Sequence, residues 1–558
     1  MPDPDISAFS GLLGNRKAAH LLRRSTFGPT KAQILAFANK TPAQAMSDLL
    51  AFNSITSKPI DPYITVPNST WVDTLPDPQN GSDNNLRRNL VIGWMMHNFR
   101  LDNTLRSKMI FFLHQNWIVD IEAWNSHELY DHLKMLEFYS LGSYKTLAKK
   151  MCRDNRMLVY LSGYLNTAAN PNENFAREFL ELFTIGKGPQ IAPGNYTNYT
   201  EIDIKEAAKL LSGYWYDLNN TVVDPDTGIR RCNLDPYQTQ HSQVNKTFSA
   251  ALGNTTTPTT IVGTNTAAGM EQEVDQYVEL IFGNIETAKN ISRKLYRYFL
   301  HRNITPAVET FIITPMANAL AANNYNLSSA VNLLLQSNHF YDLDDANPLD
   351  NKIGSMVKSP LELILNTTRF FNINPEDLPG ANPISIWDTF YISSIKYSFL
   401  LNSNMRLFDA TTVAGYPAYY AGPKFDRNWF DQSSVTQRYY LGRCLLENLN
   451  LPYASWSSFG AKIDIVTWVK NNISNPYNGT LIVEEMINYL FAEIPDAARR
   501  TYFLNQTLLG TLSLTNWATE WNAYILSLST GTPNLTVVKP RLELLFKAIL
   551  FSQEFQLQ

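Results

Sequence analysis

The sequence has little charge, few cysteines and no long apolar run. Asp, Glu, Lys and Arg together make up 17% of the 558 residues, and the formal net charge is -4. Lys and Arg are scattered through this slightly acidic chain and form no basic footprint, so we expect no nucleic-acid partner. No stretch of about 18 apolar residues occurs, so we expect no transmembrane segment.

The chain contains only three cysteines, Cys152, Cys232 and Cys444. No two of them have the short spacing of a metal site, so we expect buried thiols, while one disulfide stays an open alternative. The first residues show no basic segment followed by an apolar one, so we expect no signal peptide in the chain as given. Low Lys and Glu with abundant Asn, Thr and Tyr nevertheless favour an extracytoplasmic or secreted location.

Three motifs of nucleophilic and nucleotide chemistry are missing. The sequence has no Gly-x-Ser-x-Gly, no Gly-x-x-x-x-Gly-Lys and no Gly-x-Gly-x-x-Gly after a strand-like segment. It therefore predicts neither a serine hydrolase of that type nor a nucleotide-binding enzyme.

Apolar residues make up 44% of the chain and recur with helical periodicity. We predict a mainly α fold: a large multi-helical body, a small loop or β insertion near residues 217–265, and a C-terminal helical lobe. The insertion is predicted because short β-prone runs alternate there with turn residues. Asn-Pro and Gly residues at 347–354 predict a boundary between an N-terminal lobe, residues 1–350, and a C-terminal lobe, residues 351–558.

Helix starts are marked by capping residues. Thr30 and Thr41 precede apolar-periodic segments, and Pro42 suits a first helical position. Thr200 is predicted to cap a helix, with Asp203 placed to favour its dipole. Apolar periodicity predicts further helices over 86–101, 104–119, 126–140 and 143–151.

Residues 170 to 186 are the most informative part of the chain, and we call residues 172–186 the signature segment. Asn170 can cap a helix, Pro171 suits its first position, and Gly186 can end it in a left-handed conformation. One side of the predicted helix carries Phe175, Phe179, Leu182 and Phe183. The other side carries Glu173, Asn174, Arg177, Glu178 and Glu181.

The polar side of this helix has two interpretations. The ladder of Glu173, Arg177 and Glu181 would stabilise any exposed helix by about 0.2–0.5 kcal/mol per pair. Alternatively, this side lies in a cleft, where Arg177 keeps one carboxylate ionised while Glu178 or Glu181 acts as general acid or base.

Histidine and aromatic residues suggest two further kinds of site. His114 lies in an apolar helix, where a hydrogen-bonded core histidine is the default, but His114 and His241 are also candidate ligands of a divalent metal. Aromatic residues make up 12% of the chain. Tyr214–Tyr216 and Tyr416–Tyr420 are the places where a glycan- or peptide-binding groove would lie, although packing explains most aromatic residues.

Several segments of the chain together indicate a family. They are His20–Pro29, Leu105–His114, Asn172–Gly186, Tyr199–Asp203, Leu211–Trp215, His241 with Lys246, Ala288–Leu295, Lys358–Glu362, and Val413–Pro417 with Trp429 and Arg438. In their residues and order, nearly end to end, the chain resembles the bacterial domain-of-unknown-function 1800 family.

The resemblance implies an exported, mostly helical protein with characteristic polar residues. These are His20, Arg24, His114, Asn172, Glu173, Asn174, Arg177, Glu178, Glu181, His241 and Lys246. The chain departs from the family pattern where His-Asn-His is replaced by His114, Gln115 and Asn116. It departs again near His241, where Ser242 and Val244 replace the usual Asp and Gly.

Two functions stay open. The first is an exported or cell-surface structural, assembly or binding protein, with a homo-oligomer, an envelope partner, a glycan or a peptide as its partner. The alternative is an extracytoplasmic hydrolase-like enzyme, which predicts a concave pocket where the polar residues converge. Its catalytic residues would be Glu173, Arg177, Glu178 and Glu181, its substrate-binding residues Asn172, Asn174, His20, Arg24 and Lys246, and its metal ligands His114 and His241.

Overall fold

Helices form most of the regular structure, as the apolar periodicity predicts. The computed structural model describes residues 3–63, 68–73, 81–120, 125–217, 219–344, 356–377, 380–447 and 462–558, with only the backbone described for 81–84. Within these ranges the mainly α fold is confirmed.

The α-helices fall into three groups along the chain. Before the signature segment they are Gly14–Ser25, Lys31–Ala38, Pro42–Leu49, Gly81–Leu101, Arg106–Asn116, Ser126–Phe138, Tyr144–Met151 and Asn155–Tyr160. From the signature segment to residue 344 they are Asn174–Glu178, Glu201–Leu210, Ala250–Gly253, Ala267–Gly283, Ile285–Phe299, Pro306–Val308, Thr314–Ala322 and Leu327–Gln336. Beyond residue 356 they are Pro360–Phe370, Pro383–Ser385, Pro417–Tyr420, Gln432–Glu447, Ile465–Asn472, Gly479–Leu490, Ala497–Thr501, Leu514–Ser527 and Val538–Leu550.

Several helical segments are π-helices, in which hydrogen bonds connect residues five apart. They are Phe179–Phe183, Glu309–Ile313, Ile386–Leu400 and Tyr502–Leu509.

The predicted capping residues begin their helices. The hydroxyls of Thr30 and Thr41 accept hydrogen bonds from the third residue of their helices. Asp203 accepts a hydrogen bond of 2.7 Å from the backbone N–H of Thr200, so this predicted start is also confirmed. These caps are local in sequence, which is why the residue pattern predicts them.

Strands in the described residues form three short antiparallel pairs. The pairs are Gln190–Ala192 with Asn195–Tyr196, Tyr214–Trp215 with Asn233–Leu234, and Lys246–Phe248 with Thr259–Ile261. Two of the three pairs draw strands from residues 217–265, so the predicted β insertion is confirmed.

One cluster of buried apolar side chains extends from Leu13 to Phe555. In it, the Trp117 ring packs on Phe179 and Phe183, with centroid distances of 6.0 and 4.7 Å. Each fully buried phenylalanine contributes about 1.5–3 kcal/mol through the hydrophobic effect. This packing fixes the apolar side of the signature segment against the chain that follows helix Arg106–Asn116.

Buried charges also connect residues from the two predicted lobes. Arg302 pairs with Asp426 at 2.7 Å, and Lys108 pairs with Glu362. The predicted boundary at 347–354 lies outside the described residues, and the division into two lobes stays a prediction.

No helix in the described part of the chain combines the length and the apolarity that crossing a bilayer requires. All three cysteines are free and buried, which confirms the expectation of buried thiols.

Candidate functional site

The helix of the signature segment begins later than the sequence predicts. Its α-helical part is Asn174–Glu178, so the prediction that Asn170 caps it is wrong. The Asn172 side chain instead accepts a hydrogen bond of 3.0 Å from the N–H of Asn174 and donates one of 3.2 Å to the Ser162 carbonyl. Asparagine side chains form such local bonds in competition with the helix, so the helix does not begin before residue 174.

The segment then continues as the π-helix Phe179–Phe183. A helical wheel of 3.6 residues per turn places Leu182 among the buried phenylalanines. The structure instead buries Leu180 fully and leaves Leu182 half-buried. The longer π turn rotates the side chains that follow it, and it brings Leu182 to a cavity wall.

The carboxyl end of this helix is held by side chains from distant parts of the chain. Consecutive carbonyls of residues 182–184 accept hydrogen bonds from Lys294, from the Tyr144 hydroxyl at 2.8 Å and from the Asn290 amide at 2.7 Å. Gly186 has φ +75°, which confirms the predicted left-handed end. The carbonyls that a helix end leaves free are therefore satisfied, and Asn290 and Lys294 are fixed beside it.

Two cavities meet at this helix end. The first, which we call the tyrosine pocket, has a volume of about 140 Å³. Its aromatic and aliphatic wall consists of Phe112, Leu182, Tyr298, Val413, Ala414, Tyr419 and Tyr420, and its polar groups are Gln115, Asn116, Glu181, Asn290 and Lys294. The second, which we call the outer groove, has a volume of about 830 Å³ and is lined by polar groups that include Glu181, Lys187, Asn198, Glu286, Asn290 and Arg293.

Gln115 is the most unusual polar group of the tyrosine pocket. The residue is 8% exposed, and neither the nitrogen nor the oxygen of its side-chain amide has a hydrogen-bond partner in the described part of the chain. The neighbouring Asn116 amide donates a hydrogen bond of 2.7 Å to the Phe112 carbonyl. Leaving a buried amide unpaired costs about 1–3 kcal/mol, so such groups in native proteins require an explanation.

Lys294 supplies a cation to the same pocket. Burial lowers the pKa of its ammonium to about 8, with a further contribution from the Arg297 charge. The group therefore loses much of its charge slightly above neutral pH.

Glu181 lies where the two cavities meet and forms an ion pair of 2.5 Å with Lys187. Glu178 is half-buried, and burial together with the Glu181 charge raises the pKa of its carboxyl group. Glu178 does not line either cavity. The enzyme hypothesis needs the glutamate side of the helix in a pocket, and Glu181 is the glutamate of this helix that meets that condition.

Arg177 lies outside both cavities. Its guanidinium donates two hydrogen bonds to Glu201, at 2.6 and 3.1 Å, and one of 3.1 Å to Glu173. The hydrogen bonds from Arg177 to Glu201 lower the pKa of the Glu201 carboxyl group. The predicted ladder is thus present between Glu173 and Arg177, whereas Glu181 pairs with Lys187.

His114 is fully buried, and neither ring nitrogen has a hydrogen-bond partner among the described residues. Its ring contacts the ring of Phe408 at a centroid distance of 4.8 Å. Burial, assisted by the charge of His132, lowers the pKa of His114 to about 3, so the ring is neutral at physiological pH. It does not line either cavity, although Gln115 follows it directly.

His241 and Lys246 form a separate buried network. Glu273 lies 3.3 Å from the His241 ring and 2.6 Å from the Lys246 ammonium, and His241 also contacts the Ser212 carbonyl at 2.8 Å. Within the described ranges, no group of three or more His, Cys, Asp or Glu is arranged to hold a metal ion. The geometry of these residues therefore adds no support to the predicted metal site.

His20 and Arg24 are buried on the first helix. The His20 ring contacts the Phe340 carbonyl at 3.1 Å, and burial lowers the pKa of both side chains, that of Arg24 to about 10. The structure thus places the predicted site residues in several separate regions, and of this set only Glu181 lines the tyrosine pocket or the outer groove.

Sequence reasoning assigned no site role to four polar residues of the tyrosine pocket: Gln115, Asn116, Asn290 and Lys294. Asn290 and Lys294 lie in Ala288–Leu295, one of the segments that carry the family resemblance, but their local pattern did not identify them as site residues. Two features of the sequence did point to this pocket. Tyr419 and Tyr420 belong to the predicted aromatic groove, and Gln115 is a departure from the family pattern.

Comparison with known proteins gives one match. Neither the curated proteins nor the solved structures that were compared with this chain include a match. The sequence model of the family described as "Protein of unknown function (DUF1800)" matches residues 20–557. This match covers nearly the whole chain, and the protein belongs to the DUF1800 family.

Proposed function

We propose that this protein is an extracytoplasmic binding protein whose tyrosine pocket receives one acetamido sugar residue of a glycan. The observation that carries the proposal is the unpaired amide of Gln115 in the wall of an aromatic pocket. Ligand sites typically combine apolar walls with a few polar groups that set orientation and specificity.

The chemistry of the pocket favours an acetamido sugar. The Gln115 amide offers two N–H donors and a carbonyl acceptor, and an acetamido group offers a carbonyl acceptor or an N–H donor with which one of them can pair. Tyr419 and Tyr420 supply aromatic faces for the apolar side of a sugar ring. The volume of about 140 Å³ suits a single small ring, so the following sugars would lie along the polar outer groove.

Isothermal titration calorimetry with N-acetylglucosamine and its β-linked trimer tests this function. The native protein is expected to bind the trimer more tightly than the monomer, and not to bind glucose, which has no acetamido group. Gln115→Leu is expected to weaken trimer binding at least tenfold, about 1.4 kcal/mol, without loss of thermal stability, because it removes an unpaired buried amide.

Gln437→Leu is the matched control. Gln437 is also a buried amide, but it donates a hydrogen bond to the Ser398 carbonyl and lies outside the tyrosine pocket. Its substitution should leave trimer binding unchanged. Binding of trialanine with no binding of either sugar would show a peptide site and overturn the proposal.

Glycan hydrolysis is the second candidate function, because Glu181 lies at the junction between the pocket and the groove. A carboxylate at this point would take a proton from the water that attacks the anomeric carbon, while the glycosidic C–O bond breaks and the departing oxygen takes a proton from solvent. Product analysis of the trimer after incubation with native protein and with Glu181→Gln separates the two functions. Cleavage by the native protein alone supports hydrolysis, and an intact trimer that both proteins bind supports binding without catalysis.

The extracytoplasmic location is supported by the low-charge composition, and fractionation of the producing cells tests it. Assembly with further copies or with an envelope partner stays a prediction.

A further inference from the structure

A third cavity lies between helix Gly81–Leu101 and the π-helix Ile386–Leu400, and its volume is about 590 Å³. It shares no residue with the tyrosine pocket or the outer groove. Three cationic side chains and one carboxylate line it: Arg88, Lys396, Arg406 and Asp409.

Lys396 is the buried cation of this cavity, with 7% of the residue exposed. The contacts of its ammonium are neutral: the Asn89 side-chain oxygen and the Tyr397 hydroxyl, each at 3.3 Å, and the Tyr397 ring at 4.5 Å from its centroid. No carboxylate forms an ion pair with it in the described ranges. A buried charge with neutral partners is costly, and a close opposite charge is what offsets that cost.

The remaining polar groups suit an anion with several oxygens. Arg406 donates a hydrogen bond of 2.8 Å to Asp409, so that carboxylate is already compensated. Burial, together with the charge of the neighbouring Asp120, raises the pKa of Asp409. Arg88 contacts Asn85 and lines the same cavity, so a second positive charge lies beside it. Guanidinium groups are common partners of phosphate oxygens.

We propose that this cavity binds a phosphate group, with the Lys396 ammonium as its buried charge partner and Arg88 and Arg406 beside it. The phosphate group belongs either to free phosphate or to a small organic phosphate, for which the volume leaves room. The site is independent of the glycan site, because the two share no residue.

Thermal unfolding and calorimetry of the full chain test the proposal, with inorganic phosphate and glucose 6-phosphate as separate probes at constant ionic strength. Native protein is expected to show a saturable increase in Tm with at least one probe. A tighter Kd for glucose 6-phosphate identifies an organic phosphate as the ligand, and equal Kd values identify the free anion.

Lys396→Met removes the charge and keeps most of the side-chain volume. We expect it to weaken phosphate binding at least tenfold while its Tm without phosphate does not fall, because the charge it removes has only neutral partners. Lys205→Met, at an exposed lysine outside the cavity, is the matched control and should bind as the native protein does.

Lys396→Arg keeps the charge and is expected to retain binding, so the test does not depend on the folding of one variant. Native affinity in Lys396→Met, or no Tm shift of the native protein with either probe, would overturn the proposal.

Discussion

Glu128 shows at the residue scale how burial changes the pKa of a side chain. It is 1% exposed, and the Tyr216 hydroxyl donates a hydrogen bond to its carboxyl group. Burial, the largest cause, raises its pKa to about 8, and this outweighs the opposite effects of that hydrogen bond and of the Arg156 charge. The carboxyl group is therefore mostly protonated in the folded protein at neutral pH.

This pKa predicts a pH dependence of stability. Between the reference pKa of 4.5 and the folded pKa of about 8, the folded state holds a proton that the unfolded state has released. The free energy of unfolding therefore falls as the pH rises through this window. Glu128→Gln removes this pH-dependent contribution. Between pH 7 and pH 8, the free energy of unfolding of the native protein should therefore fall by about 1 kcal/mol more than that of the variant.

Urea unfolding of both proteins at pH 7 and pH 8 measures this difference. Other titrating groups cancel in the comparison, and His114, with a pKa of about 3, stays neutral in the folded protein throughout. Parallel pH profiles of the two proteins would contradict the prediction.

At the scale of elements, the end of the signature segment connects stability to the candidate site. Asn290, from helix Ile285–Phe299, bonds to the Thr184 carbonyl and lines both the tyrosine pocket and the outer groove. Gly186 comes shortly after Thr184 in the sequence. A Cβ atom added to Gly186 would lie 3.3 Å from the side-chain nitrogen of Asn290. The helix end and the pocket wall therefore depend on the same contact.

Gly186→Ala should destabilise the protein by about 1–2 kcal/mol, because alanine disfavours a left-handed backbone and the new methyl group presses on Asn290. It should also weaken binding of the N-acetylglucosamine trimer. Urea unfolding and calorimetry measure the two effects.

Gly228→Ala separates these causes. Gly228 has φ +70°, and no atom lies within 4 Å of the position of its added Cβ. This variant should show only the conformational cost of about 1 kcal/mol and native affinity. Native affinity in Gly186→Ala as well would show that Asn290 does not position the ligand.

At the scale of the whole molecule, Asp426 connects parts of the chain on both sides of residue 350. It forms an ion pair with Arg302 and accepts a hydrogen bond of 2.8 Å from the N–H of Val357. All of these groups lie in the interior, where removing one member of a charged pair leaves a costly unpaired charge.

Asp426→Asn is expected to lower the free energy of unfolding by about 3 kcal/mol. Hydrogen exchange should show reduced protection in helix Ile285–Phe299 as well as in Pro360–Phe370, because the substituted pair connects the two regions. Asp48→Asn, which removes a half-exposed partner of Lys40, should cost no more than about 1 kcal/mol. Reduced protection beyond residue 356 alone would indicate lobes that unfold independently.

Local interactions explain what the sequence by itself determined. Helix periodicity, the caps at Thr30, Thr41 and Thr200, and the left-handed Gly186 each depend on residues within a few positions of one another. The mainly α fold, the β insertion and the family therefore follow from the residue pattern. Glu181 and the tyrosines of 416–420 were also identified in this way, as parts of separate hypotheses.

The tertiary structure decided which residues meet. Lys294 and Asn290 contact the signature segment although they lie more than 100 residues from it in the sequence. Lys396 contacts Asn89, which lies about 300 residues away in the sequence. The same packing separates Arg177, His114 and His241 from Glu181, and the π turn at Phe179–Phe183 rotates Leu182 to the cavity wall. Such contacts depend on how helices pack, and neighbouring residues carry no signal of them.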